Sequence, residues 1–456
     1  MDYDVVIVGS GQAAIPLATR LAARGKKVLL AERGELGGTC VNTGCTPTKT
    51  LIASARAAHV ARTGGRLGVH AQAVRVDYPA VVARKEAVVR RWREGVAKKI
   101  ADAGERLRLV RGHAQLVGER TVEVAGERHK APVVVLNVGG RPSKPPIPGL
   151  AGLPWLDNRR LMELRELPPR LVVVGGGYIG CELAQAYRRF GSEVSIVDPA
   201  PHLLGHEDEE VSAAIEEVFR AEGIALRLGT KIASVAGAAG SVRLVLEGGG
   251  AVEGTHLLVA AGRRPNTDDL GCDAAGVKLD PRGFVAVDDR YATSAPGVYA
   301  VGDVTGGPQF THVAWDDHRL LLDVLDGRPT RGRAGRVVPY TAYTDPQVAG
   351  VGMTEREAKA AKVRYEVATM PFAWIARASE TDETAGLLKV LVDPATEKLV
   401  GASIVGAEAG ELVHVFAVVM QAGAPARTIV DMQMVHPAFA EGLQSVLMRL
   451  ARYKPA

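Results

Sequence analysis

The chain has 456 residues, 47% of them hydrophobic, with 56 basic against 51 acidic residues and a formal net charge of +5. That length permits several domains with large cores, and its four cysteines are too few for a disulfide-stapled secreted scaffold, which favours a reducing compartment and makes a deliberate cysteine pair redox-active rather than structural. No apolar run approaches the ~18 residues of a membrane span, which excludes a helical membrane protein.

Residues 4–32 read "DVVIVGSGQAAIPLATRLAARGKKVLLAE". An apolar strand, a glycine turn, a helix and a second apolar strand closed by an acid are predicted. The strand begins almost at once, so we expect no signal peptide and a cytoplasmic protein. Pro16 falls in the opening turns of the helix, where few amide bonds are lost. Residues 171–198, "LVVVGGGYIGCELAQAYRRFGSEVSIVD", repeat the pattern. Gly9, Gly11, Ala14, Ala18, Gly25 and Glu32 register with Gly175, Gly177, Gly180, Ala184, Gly191 and Asp198, each acid lying 21 residues beyond the second glycine. The first glycine allows the tight turn, the second lets the backbone approach a pyrophosphate, and the third position must be small where helix packs on strand. The helix N-terminus supplies amide donors and positive dipole to phosphate, and the acid accepts from a ribose hydroxyl. Two ordinary α/β units would not need the repeated acid. Two dinucleotide sites are predicted.

Between the copies lies "GGTCVNTGCTPTK", residues 37–49, which holds Cys40 and Cys45. Its spacing does not suit a metal knuckle, which uses two intervening residues, and no metal site is expected. The basic stretch 84–99, "RKEAVVRRWREGVAKK", has Ala and Val at helical spacing and little aromatic interleaving. It predicts a solvated amphipathic helix rather than a nucleic-acid surface. Farther on, "TSAPGVYAVGDVTGG" (293–307) predicts a strand ending at Gly302 and Asp303, followed by the helix "QFTHVAWDDHRLLLDVL". Asp303 would either face a ligand or cap that helix. Cys181 and Cys272 read as inert buried thiols.

With these motifs in place, the chain resembles the FAD-dependent pyridine nucleotide–disulfide oxidoreductases along essentially its whole length. The matching segments are "GGTCVNTGCTPTK", "GGGYIGCE", "AAGRRPN" (260–266), "YAVGD" (299–303) and "HPAFAE" (436–441). The segment "VLNVGGRPSKPPIPG" departs slightly, with Val138 where a threonine is usual. The resemblance implies an α/β protein with two Rossmann-like domains and a C-terminal α+β dimerisation domain. Residues 1–145 would form the first part of the FAD domain, 146–266 the NAD(P) domain, 267–334 the return to the FAD domain and 335–456 the dimerisation domain. FAD would be held by Gly9, Gly11, Ala14, Glu32, Gly38, Thr39, Lys49, Ala114, Gly139, Asp303 and His312. NAD would be held by Gly175, Gly177, Tyr178, Ile179, Gly180, Asp198 and Gly262, with NADH preferred over NADPH.

The same resemblance implies a redox-active Cys40–Cys45 disulfide, with Cys45 as the charge-transfer thiol facing the flavin and Cys40 as the interchange thiol facing substrate. Lys49, one helical turn beyond Cys45, would pair with Glu182 at the flavin, and Tyr178 would be an aromatic lid. Residues five apart in a regular helix have Cα atoms about 8.6 Å apart, whereas a disulfide wants ~4.4–6.8 Å. The segment must therefore be irregular if the bond forms, and Asn42 and Gly44 are permissive residues for that. His436 and Glu441 resemble the family's acid–base pair: imidazole titrates near neutrality, and an acid behind it fixes the tautomer. In the family that pair serves the other subunit's disulfide, which implies a homodimer.

Electrons would pass from NADH through FAD to the cysteine pair, then to a disulfide or metal-ion acceptor, in a role in cellular redox homeostasis. "GCTPTKTL" and "GGPQFTHVAWDDHR" resemble mercuric reductases and reactive-chlorine-stress metal reductases. Mercuric reductases carry a C-terminal vicinal cysteine pair, and no cysteine follows Cys272 here, so delivery of Hg(II) by that route is not expected. The intact His–Glu pair keeps dihydrolipoamide dehydrogenase in view. A flavoprotein acting as a scaffold would tolerate loss of the catalytic groups, and all of them are present.

Overall fold

The computed structural model describes residues 3–454, which fall into two compact units. The first comprises residues up to Thr50, Val82–Ser143 and Gly262–Arg336; the second comprises Leu51–Val81, Lys144–Ala261 and the chain from Val337 onward.

The core of the first unit is a five-stranded parallel sheet in the order Val298–Ala300, Val133–Leu136, Val5–Val8, Val28–Glu32, Leu107–Arg111. Val5–Val8 and Val133–Leu136 are almost wholly buried apolar runs, as expected of parallel strands covered on both faces. Helix Ala14–Ala23 packs Leu17, Ala18 and Leu21 into the core on one face. Strands Ala114–Gly118, Thr121–Val124 and Glu127–Lys130 form a three-stranded antiparallel sheet before the chain returns to the main sheet. The basic stretch 84–99 lies in helix Tyr78–Asp102. Val82, Val89, Val96 and Ile100 are buried along one face, while Arg90, Arg91, Lys98 and Lys99 are exposed, so the helix is amphipathic as its spacing predicts.

The second unit repeats the plan. Its four-stranded parallel sheet runs Ala225–Arg227, Glu193–Val197, Arg170–Val174, His256–Val259, with helix Tyr178–Phe190 crossing from strand Arg170–Val174 to strand Glu193–Val197. A three-stranded antiparallel sheet, Ile232–Ala238, Ser241–Leu246 and Ala251–Gly254, again precedes the return strand. The repeat in structure thus outlasts the repeat in sequence. From Val337 the chain builds a five-stranded antiparallel sheet in the order Tyr340–Ala342, Gln347–Gly352, Leu399–Gly406, Leu387–Val392, Glu366–Pro371. Helices Ala409–Ala422 and Glu441–Leu447 bury Phe416, Leu443 and Val446 in a core shared with Phe372, Leu388 and Ile404. Among the described residues no helix is long and apolar enough to cross a membrane.

Candidate functional site

The first glycine turn follows strand Val5–Val8. Gly9 has φ of +94°, and a Cβ on it would collide with the Asn137 carbonyl oxygen; one on Gly11 would lie 2.6 Å from Asn137 Oδ1. Only glycine fits these two places. Glu32, at the end of the next strand, is tied back to the turn. Its Oε2 accepts from the Ser10 amide at 2.8 Å and the Ser10 hydroxyl at 2.7 Å, and its Oε1 accepts from the Gly34 amide at 2.6 Å. Gly38 brings the cysteine segment onto this turn, since a Cβ there would lie 2.9 Å from Gly11 Cα. Thr39 is exposed beside it, and Ala114 is buried at the start of its strand. Gly139 takes φ of +64° just before strand Gly140–Pro142.

Asn137 is the residue that sequence reasoning missed. It is buried, its Oδ1 accepts from the Ala14 amide at 3.2 Å, and its Nδ2 donates to the Val301 carbonyl at 2.9 Å. One side chain thereby joins the first glycine turn to the strand end before Gly302. Asp317 does the same from the other side, accepting from the Gly302 amide at 2.7 Å, the Tyr291 hydroxyl at 2.7 Å and Arg336 at 2.6 Å. Replacing Asn137 with alanine leaves the buried Val301 carbonyl without this donor, at about 1–3 kcal/mol, and costs the Ala14 amide one of two acceptors, the Gly11 carbonyl remaining at 3.1 Å. We expect Asn137→Ala to fold but to shed bound flavin nucleotide on gel filtration, with retention near wild type counting against this assignment.

Asp303 lies in the short turn Gly302–Thr305 and does not cap helix Thr311–Leu325, whose N-cap is Phe310 with no side-chain bond. Burial holds its carboxyl above the ordinary range, opposed by Arg263, whose guanidinium is 3.4 Å from Asp303 Oδ2. A half-buried acceptor with one distant donor suits a hydroxyl-rich ligand. His312 is exposed in the first turn of helix Thr311–Leu325 and stacks on Phe310 with ring centroids 5.4 Å apart.

The cysteine segment is broken as disulfide geometry requires. Helix Gly38–Asn42 ends at Thr43, with φ −140°, and a second helix, Cys45–Thr63, starts two residues later. The means differ from those expected. Gly44 does not use the left-handed region, but a Cβ on it would lie 3.0 Å from the Thr39 carbonyl oxygen. Asn42 is helical and acts through its side chain, donating to the Leu36 and Gly38 carbonyls at 2.9 Å and accepting from Arg93 at 3.0 Å. Both cysteines are half-buried thiols rather than a disulfide. The hydrogen bond to Cys45, followed by burial, pushes the Cys40 thiol up, while Thr311 and Lys49 pull it down. The Cys45 Sγ lies 3.1 Å from the Thr311 hydroxyl. Lys49 is one turn along the helix that Cys45 begins.

In the second unit Gly175 has φ of +109°, and Gly180 packs so tightly that a Cβ would collide with the Gly175 carbonyl. Gly177 caps helix Tyr178–Phe190 without a side-chain bond, so the positive end of the helix suits a pyrophosphate. Tyr178 and Ile179, both half-buried, open that helix. Asp198 mirrors Glu32: its Oδ2 accepts from the Gly176 amide at 2.5 Å and its Oδ1 from the Ala200 amide at 2.7 Å. Gly262, expected with this nucleotide, begins the segment Gly262–Arg336 of the first unit, its carbonyl accepting from the Ser143 amide at 2.9 Å. Glu182 is buried and accepts from the Tyr343 amide at 2.8 Å. Cys181 and Cys272 are buried, and burial raises both thiols, Cys272 to about 11.

His436 and Glu441 are joined directly, Nδ1 to Oε1 at 2.9 Å, while Glu441 Oε2 accepts from the Ala438 amide at 2.8 Å. The carboxylate raises the imidazole, and the Ala438 amide, then His436, lower the carboxyl. The imidazole side chain is 69% exposed. Among the described residues the acids close enough to share a cation are Asp208, Glu210 and Glu355. The Lys389 ammonium already sits among them, 2.9 Å from Asp208 and 2.6 Å from Glu355, and also bonds Glu210.

Two nucleotide folds, with a pair of interacting thiols drawn onto the glycine turn of the first, are a means of moving electrons between nucleotide and sulfur. They define a nucleotide-linked thiol oxidoreductase. Residues 3–317 match the family described as pyridine nucleotide-disulphide oxidoreductase and residues 338–447 match its dimerisation domain, so the chain belongs to that enzyme family. It is 37% identical to a dihydrolipoyl dehydrogenase of Thermus scotoductus, over 97% of this chain and 96% of that one. It is 34% identical to a mercuric reductase of Bacillus cereus, over 98% of this chain and 71% of that one. The solved structure of the HOCl-induced flavoprotein disulfide reductase RclA from Escherichia coli superposes with a TM-score of 0.88, at 33% identity, covering 97% of this chain and 99% of that one.

Proposed function

We propose that the protein is an NADH-linked, FAD-dependent reductase that passes electrons through Cys40 and Cys45 to a disulfide or metal-ion acceptor. The observation that carries this reading is the thiol pair itself: two hydrogen-bonded cysteines across a helix break, held against a nucleotide-binding turn. The first unit fits FAD, with a glycine cradle for pyrophosphate, Glu32 at the strand end, and a half-buried Asp303 carboxyl with acceptor capacity to spare. When bound, the flavin supplies a two-electron carrier between nicotinamide and sulfur. The site roles of Lys49, Glu182 and Tyr178, the domain boundaries 1–145, 146–266, 267–334 and 335–456, and the cytoplasmic location belong to the same proposal.

The residues then act in order. His436 of a second copy of the chain takes the proton of Cys40. The Cys40 thiolate attacks a disulfide acceptor, one acceptor sulfur leaves with a proton from the imidazolium, and a mixed disulfide remains. The Cys45 thiolate attacks Cys40 Sγ, closes the Cys40–Cys45 bond and releases the second acceptor sulfur as a thiolate, which takes its proton from water. The acceptor gains two electrons and the cysteine pair loses two. One Hg(II) would take both electrons from the pair, whereas two Cu(II) ions would take one each.

RclA is titled a disulfide reductase and has been solved with Cu(II), which favours a disulfide or metal-ion acceptor. The joined His436 and Glu441, with the dihydrolipoyl dehydrogenase relative, support lipoamide as the second reading. Initial rates with NADH against lipoamide, glutathione disulfide, Hg(II) and Cu(II) separate these readings, and activity with none of them would count against both. Cys45→Ser is expected to abolish the long-wavelength thiolate-to-flavin absorbance of the reduced enzyme, and Cys40→Ser to retain it. The reverse result would exchange the two sulfur roles.

A further inference from the structure

Two sulfurs this close cannot both hold a charge cheaply, so something must decide which one ionises. Cys45 is the first residue of the helix Cys45–Thr63, and its Sγ lies 3.1 Å from the hydroxyl of Thr311, the first residue of the 15-residue helix Thr311–Leu325. Phe310 provides no side-chain cap to that second helix. Cys45 therefore stands at the positive ends of two helices, within hydrogen-bond distance of a hydroxyl. Cys40, inside the short helix Gly38–Asn42, has neither helix end; Thr311 and Lys49 lower its thiol too, but the hydrogen bond to Cys45, followed by burial, outweighs them and pushes it up. The charged and titratable groups acting on Cys40 are Cys45 and Lys49, with the Thr311 hydroxyl as a further hydrogen-bond partner.

We propose that Thr311 is the positioning residue that fixes the negative charge on Cys45, its hydroxyl donating to the Cys45 thiolate while Cys40 remains the protonated partner awaiting a base. The inference rests on the reading of Cys45 as the thiolate that faces the flavin. It adds a residue to the site that neither its spacing nor its chemistry marks in the sequence, because threonine at the start of a helix is ordinarily a capping residue.

The test is a pH titration of thiolate absorbance in the two-electron-reduced holoenzyme, in the ultraviolet and at long wavelength. Thr311→Val keeps the shape and removes the donor. It is expected to raise the pKa of the thiolate by about one unit, leaving roughly tenfold less thiolate at any pH well below it. Thr311→Ser should restore the wild-type titration, and the melting temperatures of all three proteins should agree. A Thr311→Val enzyme that titrates as wild type, or one that Thr311→Ser fails to rescue, overturns the role of Thr311. Cys45→Ser is the control for the underlying reading: if the thiolate signal survives it, the assignment of Cys45 fails, whatever Thr311 does.

Discussion

Replacement of His436 by glutamine is expected to slow turnover with a disulfide acceptor by about 10²–10⁴-fold, the usual contribution of a positioned acid–base group. Nδ1 is committed to Glu441 at 2.9 Å, which leaves Nε2 to take and return protons. The carboxylate raises the imidazole above its ordinary 6.5. A raised histidine is protonated over a wider range, and only its neutral form can deprotonate Cys40. The acid limb of kcat/KM should therefore lie above pH 6.5, with activity rising as pH increases through it. Glu441→Gln removes the first cause of that shift, so its acid limb should move to lower pH even as the plateau falls. An unchanged limb in Glu441→Gln would mean that another group sets the profile. Since His436 is exposed and the chain carries a dimerisation domain, a second copy can reach it; sedimentation of a fully active monomer would sink the shared-site reading.

The two nucleotide turns were legible because local sterics dictate them: a glycine that must adopt φ of +94° or +109° leaves its mark at a fixed place in the chain. The acids Glu32 and Asp198 were legible by registering the two copies, although their bonds to the Ser10 and Gly176 amides show that they also hold their turns in shape. His436 and Glu441 lie five residues apart, within one turn and helix start, and so could be paired by eye. Asn137 could not. Its partners lie 123 and 164 residues away, and an asparagine between an apolar strand and two glycines reads as a turn former. Thr311 is 266 residues from Cys45. The helix break at Thr43 and Gly44 shows the intermediate case: the need for it followed from sulfur geometry, but Gly44 meets that need by offering space beside Thr39, not through a left-handed backbone. The antiparallel sheets inserted in both units escaped notice because neither shares residues with the other at matching places, only topology.

NADH should be preferred to NADPH by roughly a hundredfold in kcat/KM, on the order of 2–3 kcal/mol. Asp198 accepts one backbone amide on each oxygen, so each oxygen keeps a lone pair for a ribose hydroxyl, whereas a 2′-phosphate would meet an uncompensated carboxylate. Several of the nearby cations are already engaged. His202 is engaged by Glu216, with Nδ1 at 3.2 Å from the carboxylate. A cavity of about 420 Å³ beside Ala200 and His202 is lined by Arg356, Lys359 and Lys389, but Arg356 donates to the Gly205 carbonyl at 3.0 Å, Lys359 pairs with Glu355 at 2.7 Å, and Lys389 is held among three acids. Glu207, Asp208, Glu209 and Glu210 share the same walls. Asp198→Ala with Ala200→Arg should move the preference towards NADPH. Loss of Asp198 also unties the Gly176 amide, which will slow the enzyme with either nucleotide. Both nucleotides use the same turn, so that penalty cancels in the ratio of their kcat/KM values, and the ratio is the quantity to measure. Parity or an NADPH preference in the wild-type enzyme would mean that Asp198 serves the turn alone and never meets the ribose.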